Sequence, residues 1–123
     1  METKNQKIET LIIDDDYDIC YLISALLNER GIHSSFVHSL SEAKASLKAY
    51  NPSVIFLDNH LPDGLGIEFV EYIHETYPQA KVIIVTGHDI AMDINNVLSK
   101  GVIDIIKKPF TKERIYSTLD KVI

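Results

Sequence analysis

The chain has 123 residues, of which 46% are hydrophobic and 24% charged, with a net charge of −6, the size and balance of one ordinary domain with a core of its own. The acidic excess, with no basic run beyond Lys107-Lys108, speaks against direct nucleic-acid binding, which needs a basic face. No apolar stretch nears the ~20 residues of a membrane span, no signal peptide is evident, and the single Cys20 has no internal disulfide partner. The expected setting is the cytoplasm, with Cys20 a buried or half-buried thiol of no redox role.

Residues 1–7 read as a polar tail and 8–123 as one domain. From there short apolar runs alternate with amphipathic segments. The runs are Leu11-Ile12-Ile13, Ser35-Phe36-Val37, Val54-Ile55-Phe56-Leu57, Val82-Ile83-Ile84-Val85, and Ile103 with Ile105-Ile106. Most are β-branched and apolar without alternation, as in strands buried on both faces of a parallel sheet.

Helical periodicity fills the gaps. Ile19, Leu22, Ile23, Leu26 and Leu27 make a first stripe, stopped by Gly31. Ser39 and Glu42 have capping-box spacing ahead of Ala43, Leu47 and Tyr50, with Asn51-Pro52 as the stop. Phe69, Val70, Ile73 and Tyr77 form a third stripe closed by Pro78; Ile90, Ile94, Val97 and Leu98 form a fourth closed by Gly101. Thr111 caps a fifth, carrying Ile115, Leu119 and Val122, which runs to the end of the chain without a closing signal. A stand-alone protein and a domain cut from a longer one both fit that ending. Five strands alternating with five helices predict an α/β fold: a doubly wound, five-stranded parallel sheet in a three-layer sandwich. Sites in such sheets form beyond the carboxyl ends of the strands.

The unusual residues stand at those ends. Asp14, Asp15 and Asp16 follow the first strand, Asp58 the third, Thr86 the fourth, and Lys107-Lys108-Pro109 the fifth. Clustered carboxylates need neutralising, and a hard divalent cation with oxygen ligands does this. A carboxylate beside such a cation can attack phosphorus, with an ammonium and a hydroxyl stabilising the charge on the transferred group. Singly, each residue has a plainer explanation. Asp16 and Asp18 are assigned to capping the next helix and to its dipole; a Thr at a strand end is often just a β-former, and a Lys before Pro a surface charge. Four strand ends supplying complementary chemistry to one rim are harder to explain that way.

Four stretches, in order and at matching spacing, carry a family resemblance: LIIDDD at 11–16, FLDNHLPDGLG at 56–66, VIIVTG at 82–87 and GVIDIIKKPF at 101–110. The chain resembles the receiver domain of two-component response regulators over residues 8–123. The resemblance implies a flavodoxin-like strand order of 2-1-3-4-5. It further implies that Asp58 accepts a phosphoryl group, that Thr86 is the switch hydroxyl and that Lys108 pairs with the phosphoryl oxygens. Mg²⁺, with Mn²⁺ as a substitute, would be held by Asp15 and Asp58, by Asp14 largely through water, and by the backbone carbonyl of His60. Pro109 would follow a cis peptide bond, and Pro62 and Gly66 would shape the turn after the acceptor.

Two positions depart from the family pattern. Ile105 stands where Tyr or Phe often reports the switch, and Gly87 stands where Ala is more typical, leaving the phosphoryl pocket open to a small-molecule donor. His60 and His88 flank the predicted site, and His88 is expected to steer or block the hydrolytic water. A zinc site is not expected, since His33, His38, His60, His74 and His88 lack short ligand spacing.

The expected donor is a sensor histidine kinase or phosphotransfer protein docking near the first helix and the rim. The switched surface, on the fourth and fifth helices and the fifth strand, would serve an output domain, an effector or a phosphorylation-dependent homodimer. No membrane partner is expected, nor turnover of an outside substrate. The rivals are a pseudo-receiver docking module, a flavodoxin-like cofactor binder, which Asp14-Asp15-Asp16 in place of a phosphate loop disfavours, and a dehalogenase-type phosphatase, which Asn59-His60 after Asp58 disfavours.

Overall fold

A computed structural model describes residues 8–87, 97–98 and 100–123. The strands are β1 (Glu9–Ile13), β2 (His33–Val37), β3 (Val54–Asp58), a short pair β4 (His60–Leu61) and β5 (Gly64–Leu65), β6 (Lys81–Thr86) and β7 (Val102–Lys107). The helices are α1 (Tyr17–Glu29), α2 (Leu40–Tyr50), α3 (Gly66–Thr76) and α4 (Lys112–Val122). Five strands form one parallel sheet in the order β2-β1-β3-β6-β7. Without the two-residue hairpin strands this is the expected 2-1-3-4-5. Of the fourth predicted stripe, Ile90 and Ile94 lie outside the described residues, as does His88; Val97 is fully buried.

Side-chain alternation along the strands divides the core in two. Leu11, Ile13, Ile55, Leu57, Val82 and Ile84 face α2 and α3, packing on Ala43, Leu47, Phe69, Val70 and Ile73. Ile12, Phe56, Ile83, Val85 and Ile106 face α1 and α4, packing on Cys20, Ile23, Leu27, Ile115 and Leu119. The sheet is therefore covered on both faces, which is why its strands read as unbroken apolar runs.

Among the described helices, α1, α2 and α4 begin at a residue whose side chain satisfies the backbone, whereas α3 starts after Leu65 without a side-chain cap. Asp16 caps α1 by accepting from the N–H groups of Asp18 and Ile19, and Thr111 caps α4 by accepting from Arg114 N–H. Ser39 accepts from Glu42 N–H at 3.2 Å. The returning half of the expected capping box is displaced by one residue, because the Glu42 carboxylate accepts from His38 N–H at 2.8 Å rather than from Ser39. Asn51 ends α2 in the left-handed conformation, at φ 48°.

Candidate functional site

The same alternation that places Ile12, Phe56 and Ile106 against α1 and α4 continues two residues on to Asp14, Asp58 and Lys108. All three therefore reach the carboxyl rim of the sheet on one side. The Lys108 ammonium donates to Asp14 Oδ2 at 2.9 Å and stands 3.6 Å from Asp58 Oδ1. Asp15, next along the turn into α1, is exposed, while the side chains of Asp14 and Asp58 are only 3% and 7% exposed. Ligand oxygens of Asp14, Asp15 and Asp58 all lie within 4.8 Å of one another.

Burial raises the pKa of Asp58, and the Asp14 charge adds to the effect; Lys108 and a hydrogen bond from His60 N–H oppose it. Burial likewise raises Asp14 in spite of its bonds from Lys108 and from Asp16 N–H. For Lys108 burial alone would act downward, but the bond to Asp14 and the charges of Asp14, Asp58 and Asp16 hold its pKa above the usual value. One ammonium thus serves two buried carboxylates, Asp14 and Asp58. The donor set is all-oxygen and net negative, which suits a hard divalent cation.

The remaining described site residues lie at the strand ends near this cluster, except Ile105, which packs on the other face of the sheet. Thr86 is buried at the end of β6, one residue past Val85, which is in register with Asp58. Its carbonyl accepts from Lys108 N–H at 2.8 Å, tying the ends of β6 and β7 together. The Lys108–Pro109 peptide is cis. His60 is exposed, immediately past Asn59. An added Cβ at Gly87 would lie 3.9 Å from Lys108 Cβ and Cδ, so the glycine leaves room above the lysine stem. Ile105 is half-buried against the core on the α2/α3 side.

The loop after Asp58 is pinned at several points. Asn59 accepts from Gly66 N–H through its carbonyl at 2.8 Å and from Ile67 N–H through its side chain at 2.9 Å. Gly66 is required here, because any Cβ would overlap the Asp58 carbonyl oxygen. Across the β4–β5 turn, the Asp63 carboxylate accepts from the N–H groups of Leu40 and Ser41, anchoring the loop to the start of α2.

Sequence reasoning did not single out Asp63, Asn59 or His38. Asp63-Gly64 is a recognisable turn pair, but its reach to α2 is a tertiary contact. His38 sits behind the site, with its ring donating to the Asp14 carbonyl at 2.9 Å. Cys20 is fully buried beside it, its thiol pushed up to about 12 by burial and by the charges of Asp14 and Asp16, which makes it inert. Among the described residues, no helix is long and apolar enough to cross a membrane.

The model of the response regulator receiver domain matches residues 10–120. The chain is 33% identical over 118 residues to an NtrX-like response regulator of Rickettsia bellii, covering 93% of this chain but 24% of that protein. The chain thus spans about a quarter of that relative's length. Among solved structures it is similar to the beryllofluoride-activated NtrC4 receiver domain dimer (34% identity, TM-score 0.87, covering 93% of this chain and 94% of the other). It is similar also to a CheY-like receiver domain protein of Methanospirillum hungatei (25% identity, TM-score 0.87, covering 94% and 93%). With its parallel sheet in the receiver strand order and its acidic rim, the chain belongs to the response regulator receiver domain family, a family of signalling domains.

Proposed function

We propose that residues 8–123 act as a phosphorylation-driven switch in a two-component pathway, with Asp58 as the phosphoacceptor. The observation that carries this reading is the setting of Asp58: a nearly buried carboxylate within 4.8 Å of the Asp14 and Asp15 oxygens, with the Lys108 ammonium that bonds Asp14 also standing 3.6 Å from it. Asp15 and Asp58, with Asp14 acting through water and the His60 backbone carbonyl, would hold Mg²⁺ or Mn²⁺. When bound, the ion supplies positive charge to the phosphoryl oxygens and offsets repulsion between the carboxylates. An Asp58 oxygen attacks the phosphorus of a phosphohistidine on a kinase or phosphotransfer protein. The P–O bond forms as the P–N bond breaks, and the histidine nitrogen leaves with the electron pair. Lys108 then turns from Asp14 and Asp58 toward the new phosphoryl oxygens, and the Thr86 hydroxyl joins it.

The added charge, about −1.5 to −2 at neutral pH, biases an equilibrium between two surfaces. The surface that changes is assigned to β7, α4 and the segment before them, where an output domain, an effector or a second phosphorylated copy would bind. Ile105 has no ring to swing, so its readout is by repacking; His88 modulates hydrolysis. The protein acts on itself in taking and losing the phosphoryl group, in the cytoplasm.

Incubation with acetyl phosphate and Mg²⁺, followed by intact mass, tests the proposal. The wild type should gain one phosphoryl group and Asp58→Asn none; no gain, or equal gain in both, would overturn it.

A further inference from the structure

The ladder between β1 and β2 ends at Ile13 and Val37. One more backbone bond follows, from Asp14 N–H to the Val37 carbonyl at 3.1 Å. Beyond it the chain turns into α1, and the Asp14 carbonyl is left without a strand partner. A buried carbonyl in that position needs a donor. The next residue of β2's exit, His38, supplies it: ring Nδ1 lies 2.9 Å from the Asp14 carbonyl oxygen. Because a carbonyl can only accept, Nδ1 carries the proton. Cys20 Sγ contributes a weaker bond to the same oxygen at 3.3 Å.

The imidazole is itself held in place. Its ring stacks on Tyr17 at 3.8 Å between centroids, with planes 14° apart. Phe36 approaches at 5.6 Å, and His38 N–H is fixed by Glu42. Both backbone polar atoms of Asp14 are therefore gripped by consecutive residues, Val37 and His38. The Asp14 carbonyl belongs to the peptide that leads into Asp15, so fixing its direction fixes the rotation of that peptide and hence where the exposed Asp15 carboxylate stands relative to Asp58.

We infer that His38 is a positioning residue of the cation site, setting Asp15 through the Asp14–Asp15 peptide. The inference rests on the receiver reading above. Groups that orient metal ligands commonly change metal affinity by tenfold or more when removed. Here the effect passes through a backbone bond, and about tenfold is expected.

The test titrates the full chain with Mn²⁺, following free ion by electron paramagnetic resonance, in wild type, His38→Ala, His38→Asn and His38→Gln. Asn places a donor near the Nδ1 position, whereas Gln moves it one bond further out. His38→Ala and His38→Gln should weaken Mn²⁺ binding about tenfold, and His38→Asn should restore it to within about threefold of wild type. His33→Ala, which removes an exposed histidine at the start of β2, should leave Mn²⁺ affinity unchanged. Metal-free thermal stability is read alongside. All three His38 variants lose the Tyr17 stack and should fall together, so a merely structural role would not separate Asn from Gln. If His38→Ala does not fold, the comparison of Asn with Gln decides. Wild-type affinity in His38→Ala, or equal weakness in Asn and Gln, would overturn the inference alone. A wild type that takes up no Mn²⁺, or that Asp15→Asn and Asp58→Asn leave unaffected, would overturn the receiver reading and this inference with it.

Discussion

Two clusters of charge lie on the α1/α4 side of the sheet and obey opposite rules. At the rim, Asp14 and Asp58 share the Lys108 ammonium with Asp15 close beside them, and both buried carboxylates have raised pKa values. On β7, a single carboxylate, Asp104, is saturated with partners. It accepts from Arg114 Nη1 and Nη2 at 2.8 and 3.1 Å, from Thr118 at 2.7 Å, from Lys121 at 3.2 Å and from Ile105 N–H at 2.8 Å. Although burial acts upward, those bonds together hold its pKa far below the usual carboxylate range. Arg114 also donates to the Ile105 carbonyl at 2.9 Å, so the ion pair closes over the backbone of an edge strand. The Asp104 cluster is arranged to stabilise the fold. The rim is left with surplus negative charge for something else to neutralise.

The largest expected effect breaks the rim by geometry rather than charge. Gly66→Ala would drive a methyl into the Asp58 carbonyl oxygen and bring it 3.0 Å from Leu57 Cγ. A loss of about 3 kcal/mol by urea unfolding is expected, together with loss of phosphoryl uptake. A near-neutral result would mean that the acceptor loop is softer than its hydrogen bonds to Asn59 imply.

Next is Asp104→Ala, which takes the paired carboxylate from Arg114 and leaves its guanidinium the Ile105 carbonyl and the Thr118 hydroxyl. Because the Asp104 side chain is 15% exposed and that of Arg114 37%, the cost should fall below that of a fully buried pair, at about 2 kcal/mol. The pH dependence has a defined sign. A depressed folded pKa contributes stability that is present above the unfolded value of 3.8 and lost as pH falls below it. The stability gap between wild type and Asp104→Ala should therefore hold from neutral pH to about 5 and shrink below about 4.

The rim should behave in the opposite sense. A carboxylate whose folded pKa is raised favours the fold below 3.8 and loses that contribution as pH rises through its folded value. In the metal-free protein at pH 7, Asp58→Asn should therefore raise the melting temperature, by about 2–4 °C. The difference should shrink on acidification. Adding Mg²⁺ should reverse it, because only the wild type keeps the full ligand set. A lower melting temperature for Asp58→Asn without metal would mean that the Lys108 contact outweighs repulsion, and the contrast between the clusters would fail.

The two clusters were not equally legible in the sequence. Asp14, Asp58 and Thr86 announce themselves because each follows an apolar run directly, and Lys108 comes one residue after such a run, so the order of strands is enough to bring them together. Asp104 was silent, being one acidic residue among Ile103, Ile105 and Ile106. Its partners lie 10, 14 and 17 residues on, on a helix whose angle to β7 no local pattern states. A β-bulge adds to this: Val82 pairs with Val102 but Ile83 with Asp104, so the register slips past Ile103. His38 and Asp63 escaped for the same reason, since each serves a backbone group on another element. Local signals did carry the caps at Asp16, Ser39 and Thr111 and the stops at Gly31 and Asn51.

The smallest expected effect sharpens the view of the rim as open space. Gly87 differs from Gly66 in what a methyl would meet: ordinary contact with the Lys108 stem at 3.9 Å, with no positive φ to strain. Gly87→Ala should change stability by less than about 0.5 kcal/mol. It should slow phosphorylation by acetyl phosphate a few-fold at most, by narrowing the approach above Lys108. If it instead costs as much as Gly66→Ala, the space above Lys108 is already filled in the folded protein. The surplus charge of Asp14, Asp15 and Asp58 would then be enclosed rather than open to a cation and a donor.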